Sequence, residues 1–124
     1  MKRLIAIEFD NLSCEGLLNN SSTSNLIWES LPISSSVSTW GDEIYFSIPV
    51  SDEESNSKDV VELGDLGYWP PGNAFCIFFG MTPASNEGEI RPASPVNILG
   101  KMLGDLDILK QIKTGESVFI SKKS

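Results

Sequence analysis

The sequence predicts a mainly β protein folded as a closed or nearly closed barrel, with a helix over each open end. Two observations lead to this fold class. The chain contains about seven or eight short strand-like segments joined by turn-rich links, and two segments with helical patterning. Two isolated helices cannot cover both faces of an open sheet of that size. Closing the sheet removes its exposed edges and leaves one helix for each end.

The first quarter of the chain supplies two strands and a helix. Residues 3–9 are apolar on both faces in the middle, and residues 12–18 form a second strand after a turn at Asp10-Asn11. Residues 24–31 carry apolar side chains at helical spacing after a polar stretch rich in helix-capping residues, and Pro32 ends this helix.

The middle of the chain predicts further strands. Residues 34–43 are a loop with a turn at Gly41-Asp42, and residues 43–50 alternate as a half-buried strand that ends at Pro49. A charged loop over residues 51–59 precedes a short strand at 60–63. Residues 64–73, "GDLGYWPPGN", have the composition of a stiff turn, and "NAFCIFFG" at 73–80 is the most apolar run, which indicates a central strand.

The last third of the chain contains a long loop and the second helix. Residues 81–95 hold three prolines, and loops of this length in compact domains are more often functional than incidental. A strand at 96–100 follows. Asp105 and Gly115 are the predicted caps of a helix whose apolar stripe is Leu106, Leu109 and Ile112, and residues 116–120 close the sheet. We expect one domain over residues 1–124, with its core at about 3–120.

Charge and cysteine content exclude several classes of function. The net charge of -8 disfavours nucleic acid, because phosphate contacts need clustered Lys and Arg. No segment is long and apolar enough for a membrane span, and the N-terminal apolar stretch is too short for a signal peptide. Cys14 and Cys76 do not make a disulfide framework, so we expect a cytoplasmic protein.

The absence of histidine narrows the chemistry further. It removes Ser-His and Cys-His nucleophile pairs, histidine metal ligands and histidine general bases together. Residues 52–63 fail as a calcium loop, because Ser57 and Leu63 stand where the loop needs Gly and Glu. We therefore expect neither a metal ion nor a cofactor.

Longer stretches resemble a known family. Residues 96–120 are similar to the C-terminal part of cyclophilins, and "NAFCIFFG" resembles the strand that carries their Gln-Phe-Phe core. Over residues 3–120 the chain resembles small prokaryotic cyclophilin-like proteins of uncharacterised function, through "TWGDEIYFSIPV", "ELGDLGYWPPGNAFCIFFGMTP" and "RPASPVNILGKM". The resemblance implies a closed, eight-stranded cyclophilin-like β-barrel capped by two α-helices.

The catalytic residues of cyclophilins are missing from the matching positions. The family carries an Arg in a Phe-His-Arg pattern after its first helix, and this chain has Phe46-Ser47-Ile48 there. The family's His before the Phe-Gly-Lys turn corresponds to Val96. Prolyl isomerisation needs an apolar pocket and a donor to the prolyl nitrogen, so the resemblance implies the fold without its ordinary catalysis.

Seven residues are candidates for a ligand-binding cleft. Tyr and Trp offer large contact areas with few rotamers, Glu43 follows the Gly41-Asp42 turn, and Arg91 stands alone in the long loop. For the aromatic pair in residues 64–73, covering the barrel end is an equally weighted alternative, and for Arg91 an ion pair with Glu87 or Glu89 is favoured. The candidates are Trp40, Glu43, Tyr45, Tyr68, Trp69, Phe79 and Arg91.

Two functions remain open from the sequence. The first is a module that binds a peptide or small molecule in the aromatic cleft. The second is an enzyme, either a divergent prolyl isomerase or a catalyst built around Glu43. Association into a homo-oligomer through a strand edge near Pro49 is a third possibility, which light scattering would test.

Overall fold

The structure, a computed structural model, describes residues 3–123. Within these residues ten strands form a single sheet, accompanied by one α-helix, α1 (Ser22–Ser30), and two 3₁₀ helices, Pro70–Gly72 and Leu106–Gln111. The strands are β1 (Arg3–Glu8), β2 (Ser13–Leu18), β3 (Ile33–Ser36), β4 (Ser38–Thr39), β5 (Glu43–Ser47), β6 (Ser57–Lys58), β7 (Asp65–Trp69), β8 (Ala74–Phe78), β9 (Val96–Leu103) and β10 (Ser117–Lys122).

The sheet curls into a nearly closed antiparallel barrel. Its order is β3-β10-β1-β2-β9-β7-β8-β5-β4, with β6 paired to β9 beside this path. The two ends of the path, β3 and β4, are separated in the chain by Val37 alone, whose N–H donates to the Glu116 carbonyl at 2.8 Å. Residues 33–39 thus behave as one strand that changes its partner from β10 to β5. Counted in this way the barrel has eight strands, which confirms the predicted fold class.

Strand β8 lies between two apolar clusters. Phe75 and Ile77 point into the main core inside the barrel, whereas Cys76 and Phe78 point to the opposite face. On that face they form a second cluster, the outer cluster, which consists of Val61, Ala74, Cys76, Phe78 and Val96. A strand buried on both faces needs a continuous apolar run, so the prediction of a central strand from "AFCIFF" is confirmed.

Both predicted helices form, but the second is not an α-helix. In α1 the Ser21 hydroxyl accepts from the Ser24 N–H at 3.2 Å, and Ile27 is fully buried in the main core. The second helix is 3₁₀, with the Asp105 carboxylate accepting from the Asp107 N–H at 2.9 Å. Its apolar side chains, Leu106, Leu109 and Ile112, recur every third residue, which is the period of a 3₁₀ helix.

Three local predictions were wrong. Residues 65–69 of the supposed stiff turn form β7, the supposed loop at 34–43 contains β3 and β4, and the supposed strand at 60–63 makes only an isolated bridge, Val61 to Ile90. Gly67 lies in the middle of β7, and it contributed to the prediction of a turn at these residues. Close packing, and not a turn, requires glycine at position 67, because a Cβ there would lie 2.9 Å from the Val96 side chain.

Among residues 3–123 no helix is long and apolar enough to cross a membrane.

Strand β5, whose end near Pro49 was the proposed edge for self-association, is paired with β8 on one side and with β4 at Ile44 and Tyr45 on the other. Association between copies stays a prediction.

Candidate functional site

A two-residue hairpin places Trp40 opposite Glu43. The Trp40 N–H donates to the Glu43 carbonyl at 2.9 Å, and the Glu43 N–H donates to the Trp40 carbonyl at 3.2 Å. Gly41, at the first turn position, has φ +61°, as a type II′ turn requires. A Cβ at Gly41 would lie 2.8 Å from the Met81 carbonyl oxygen, so only glycine fits. Tyr45 follows Glu43 by two residues and therefore shares its face of β5.

Trp69 reaches the same region from β7. Its indole Nε1 donates to the Ser94 hydroxyl at 2.6 Å, which ties the ring to the long loop. The benzo edge of the ring packs against Gly72 in the 3₁₀ turn, where a Cβ would lie 2.7 Å away. The Trp69–Pro70 and Pro70–Pro71 bonds are both trans. The indole is thus fixed from two sides by the protein itself.

The long loop is folded back onto itself by a small hydrogen-bond network. The Ser85 hydroxyl accepts from the backbone N–H groups of Thr82 and Arg91, each at 3.0 Å, and the Thr82 hydroxyl donates to the Arg91 carbonyl. This network brings Pro92 and Ala93 over the outer face of the barrel.

These elements enclose a pocket of about 140 Å³ beside the outer cluster. One carboxyl and three aromatic side chains contribute to its walls, and the rest of the lining is apolar. The lining residues are Trp40, Glu43, Tyr45, Trp69, Pro92, Ala93 and Val96. Four of the seven candidate residues therefore come together in one cavity.

Glu43 is the unusual member of this lining, because it carries an ionisable carboxyl and yet only 6% of the residue is exposed. Burial raises the pKa of its carboxyl from 4.5 to about 7, against a smaller opposing effect of a hydrogen bond from the Cys76 thiol. In residues 3–123 no Lys or Arg forms a salt bridge with it. The carboxyl therefore changes charge near neutral pH inside an apolar pocket.

The other three candidate residues lie outside the pocket. Tyr68 is fully buried on the interior side of β7, where its hydroxyl donates to the Val50 carbonyl at 2.8 Å. Phe79 is 7% exposed and packs in the main core. Arg91 pairs with Glu89 through Nε at 2.7 Å, the alternative that the sequence favoured. These placements are corrections to the predicted cleft.

Sequence reasoning missed three residues of the lining: Pro92, Ala93 and Val96. The long proline-containing loop was a usable signal for the first two. The sequence singles out Val96 only as the residue at which the resemblance to cyclophilins places a histidine. In this structure that position faces the pocket and offers a methyl surface instead of a titratable ring. Residues 3–123 contain no group of three or more Cys, Asp or Glu side chains arranged to hold a metal ion.

Known proteins support the fold. One solved structure, the solution structure of the hypothetical protein AF2241 from Archaeoglobus fulgidus, is 44% identical, with a TM-score of 0.83 over 98% of this chain and 95% of that one. A second, McbB in complex with tryptophan, has a TM-score of 0.73 over 97% of this chain and 45% of that one. At 16% identity this second likeness concerns the fold alone. Comparison with curated proteins gives no significant match.

The family model described as cyclophilin-like matches residues 3–121, nearly the whole of the described chain. This match agrees with the eight-stranded barrel and with the resemblance carried by residues 39–50, 62–83 and 91–102. The chain belongs to the cyclophilin-like family.

Proposed function

We propose that this protein binds a peptide or small ligand in the pocket on the outer face of its barrel. The observation that carries the proposal is the convergence of Trp40, Tyr45 and Trp69 around the buried carboxyl of Glu43. A mostly apolar cavity with a few placed polar groups is the common form of a ligand site. The fixed position of the Trp69 indole favours binding, because little side-chain entropy is lost when a ligand enters.

The size of the pocket limits what enters it. Its volume of about 140 Å³ is close to that of an engineered protein cavity of about 150 Å³ that binds benzene. Pockets that enclose drug-sized ligands are larger, at about 300–1,000 Å³. We therefore propose that one ring-sized group, a side chain of a peptide or the head of a small molecule, occupies the pocket while the rest of the ligand lies outside.

A divergent prolyl isomerase is the alternative. The pocket has the size of a prolyl ring, and the Tyr45 hydroxyl and the protonated Glu43 carboxyl are O–H donors in its lining. No guanidinium is among the lining residues, since Arg91 is engaged with Glu89. Without a cationic donor to the prolyl nitrogen, the transition state gains little over the ground state, and this favours binding over catalysis.

The indole N–H signals of the three tryptophans provide the test. In ¹H–¹⁵N NMR spectra a ligand in the pocket should shift the indole signals of Trp40 and Trp69 and leave that of Trp28, on α1, unchanged. The probes are a panel of single-ring fragments and short peptides with neutral, cationic and anionic side chains. Assignment by Trp69→Phe and Trp28→Phe variants identifies the signals. If no probe shifts Trp40 or Trp69 at millimolar concentration, the proposed binding site is refuted.

A further inference from the structure

Glu43 differs from the other buried carboxylate of the described chain. Asp65 is 5% exposed, and its carboxylate meets the Lys101 ammonium at 2.8 Å. Glu43 is 6% exposed and has no such partner among residues 3–123. Buried charges in proteins are normally paired, because an isolated ion loses its hydration without compensation. The molecule therefore leaves one buried carboxyl without a counter-charge, in the wall of its ring-sized pocket, and a cationic ligand would supply the missing partner of its ionised form.

The aromatic lining complements a positive charge as well. Trp, Tyr and Phe rings attract cations through the quadrupole of the π-system, most strongly when the site is shielded from water. Trp28 shows this contact within the molecule, with the Lys122 ammonium 5.0 Å from its ring centroid. Across residues 3–123 no Lys or Arg takes that position at Trp40 or Trp69. Both rings stay available to a cation from outside.

We propose, on the basis of the binding function above, that the group held in this pocket is an organic ammonium: a protonated or quaternary amine on an apolar stem. Glu43 supplies the counter-charge, and Trp40, Tyr45 and Trp69 supply the aromatic walls. An anion would meet Glu43 with no cation in the lining to offset it. The net charge of -8 attracts cations to the whole molecule and raises their local concentration.

Three ligands of nearly equal shape but different charge test whether binding in the pocket depends on the charge of the ligand or on its size. Choline is cationic, 3,3-dimethylbutan-1-ol is its neutral counterpart, and 3,3-dimethylbutanoate is anionic. Each is titrated at pH 8 while the indole signals of Trp40 and Trp69 are followed. We expect choline to bind at least about tenfold more tightly than the alcohol, in line with a desolvated cation–π and charge contribution, and the anion to bind least.

Substitution of the carboxylate provides the second arm. Glu43→Gln should reduce choline affinity to that of the alcohol and leave the affinity for the alcohol within about twofold, because the pocket keeps its shape. Glu29→Gln, at an exposed position on α1, makes the same change in net charge and should leave both affinities unaltered. A similar loss in both variants would assign the effect to the overall field and overturn the role of Glu43.

A pH series supplies the third arm, since the charge of choline does not titrate. The titratable groups around Glu43 are Tyr45 on β5, Cys76 on β8 and the preceding Asp42, and the remaining lining residues have none. Lowering the pH through about 7 protonates Glu43, so choline affinity should fall while that of the alcohol stays level.

The outcomes distinguish the two proposals. Equal affinities for choline and the alcohol, or tighter binding of the anion, would overturn the ammonium inference and leave a pocket for neutral rings or acids. If neither these three molecules nor the wider panel shift Trp40 or Trp69, the binding function itself fails.

Discussion

The negative charge of Glu43 destabilises the folded protein, because the carboxyl is buried. Its pKa is about 7 in the folded protein and 4.5 as a free side chain, so folding favours the protonated form. Below pH 4.5 the group is neutral in both states and has no effect on stability. As the pH rises from 4.5 to about 7, the unfolded chain ionises this carboxyl while the folded protein keeps it protonated, so stability falls across this range and changes no further above it.

Replacement of this charge should therefore stabilise the protein, and more so at higher pH. A shift from 4.5 to about 7 corresponds to about 3 kcal/mol. We expect Glu43→Gln to raise the free energy of unfolding by up to that amount at pH 8 and by much less at pH 5. Urea denaturation at the two pH values measures this, with Glu29→Gln as the exposed control. A stabilisation independent of pH would contradict the account.

At the scale of single elements, β7 separates two adjacent aromatic residues into different roles. Successive side chains of a strand point to opposite faces, so Trp69 lines the pocket and Tyr68 enters the core. The Tyr68 hydroxyl donates to the Val50 carbonyl at 2.8 Å and accepts from the Asp52 N–H at 3.1 Å. It thereby ties β7 to the segment that follows β5.

This division predicts opposite phenotypes for two similar substitutions. Tyr68→Phe leaves buried backbone groups without partners and should cost about 2 kcal/mol of stability without changing ligand affinity. Trp69→Phe removes the bond to Ser94 and part of the pocket wall, and should weaken ligand binding more than it lowers stability. Thermal denaturation and the NMR titration are run on both. Loss of binding in Tyr68→Phe at a temperature where it is fully folded would contradict the division.

The bulge in β9 is the second feature at this scale. Leu66 pairs with Gly100 and Gly67 with Ile98, so Leu99 is an extra residue in β9. Gly100 has φ +151°, and a Cβ there would lie 1.9 Å from the Leu17 carbonyl oxygen on β2. The bulge allows β9 to pair with both β2 and β7 at its glycine.

Alanine substitutions separate the close approach from the backbone conformation. Gly100→Ala should cost about 3 kcal/mol or more, because the clash is with backbone that cannot move aside. Gly104→Ala is the matched control: its φ is +84°, but no atom lies within 4 Å of its added Cβ, so we expect about 1 kcal/mol. Chemical denaturation measures both. Equal costs would show that the approach of Leu17 to Gly100 has no energetic consequence.

The sequence predicted the elements whose side-chain pattern has one interpretation. The alternation of Ile44, Phe46 and Ile48 is typical of a strand with one buried face. The apolar run in β8 is typical of a strand buried on both faces. Residues 33–39 are rich in serine, which does not favour strands, and their strand structure depends on the pairing with β10 and β5. The second helix was misassigned because apolar residues three apart fit both α and 3₁₀ geometry.

The same limit applies to the pocket. Trp40, Glu43 and Tyr45 were predicted together because they lie around the Gly41-Asp42 turn, at the junction between a predicted loop and the predicted strand over residues 43–50. The adjacent aromatics of β7 were assigned to one surface because the segment was interpreted as a turn. Pro92 and Ala93 reach the pocket only through the folding of a long loop, which the hydrogen bonds of Ser85 determine and no periodicity reveals.

For the whole molecule, the family fold and the function are separable. The barrel matches the cyclophilin-like model over residues 3–121. In the stretches that resemble cyclophilins, however, Ile48 and Val96 stand where the resemblance places the Arg and the His of that family. Ile48 is buried in the main core, and Val96 offers only apolar surface to the pocket. A fold supports many functions, and the chemistry of the site decides between them.

We therefore expect no prolyl isomerase activity above the uncatalysed rate. The uncatalysed reaction takes tens to hundreds of seconds at 25 °C, so catalysis is easy to detect. The measurement is a protease-coupled assay on a panel of X-Pro peptides, with an active cyclophilin as positive control. A rate above that of buffer, retained on repurification and abolished in Glu43→Gln, would contradict the prediction and assign the donor role to the protonated carboxyl. In that case the activity should also fall as the pH rises through about 7, because ionisation removes the donor.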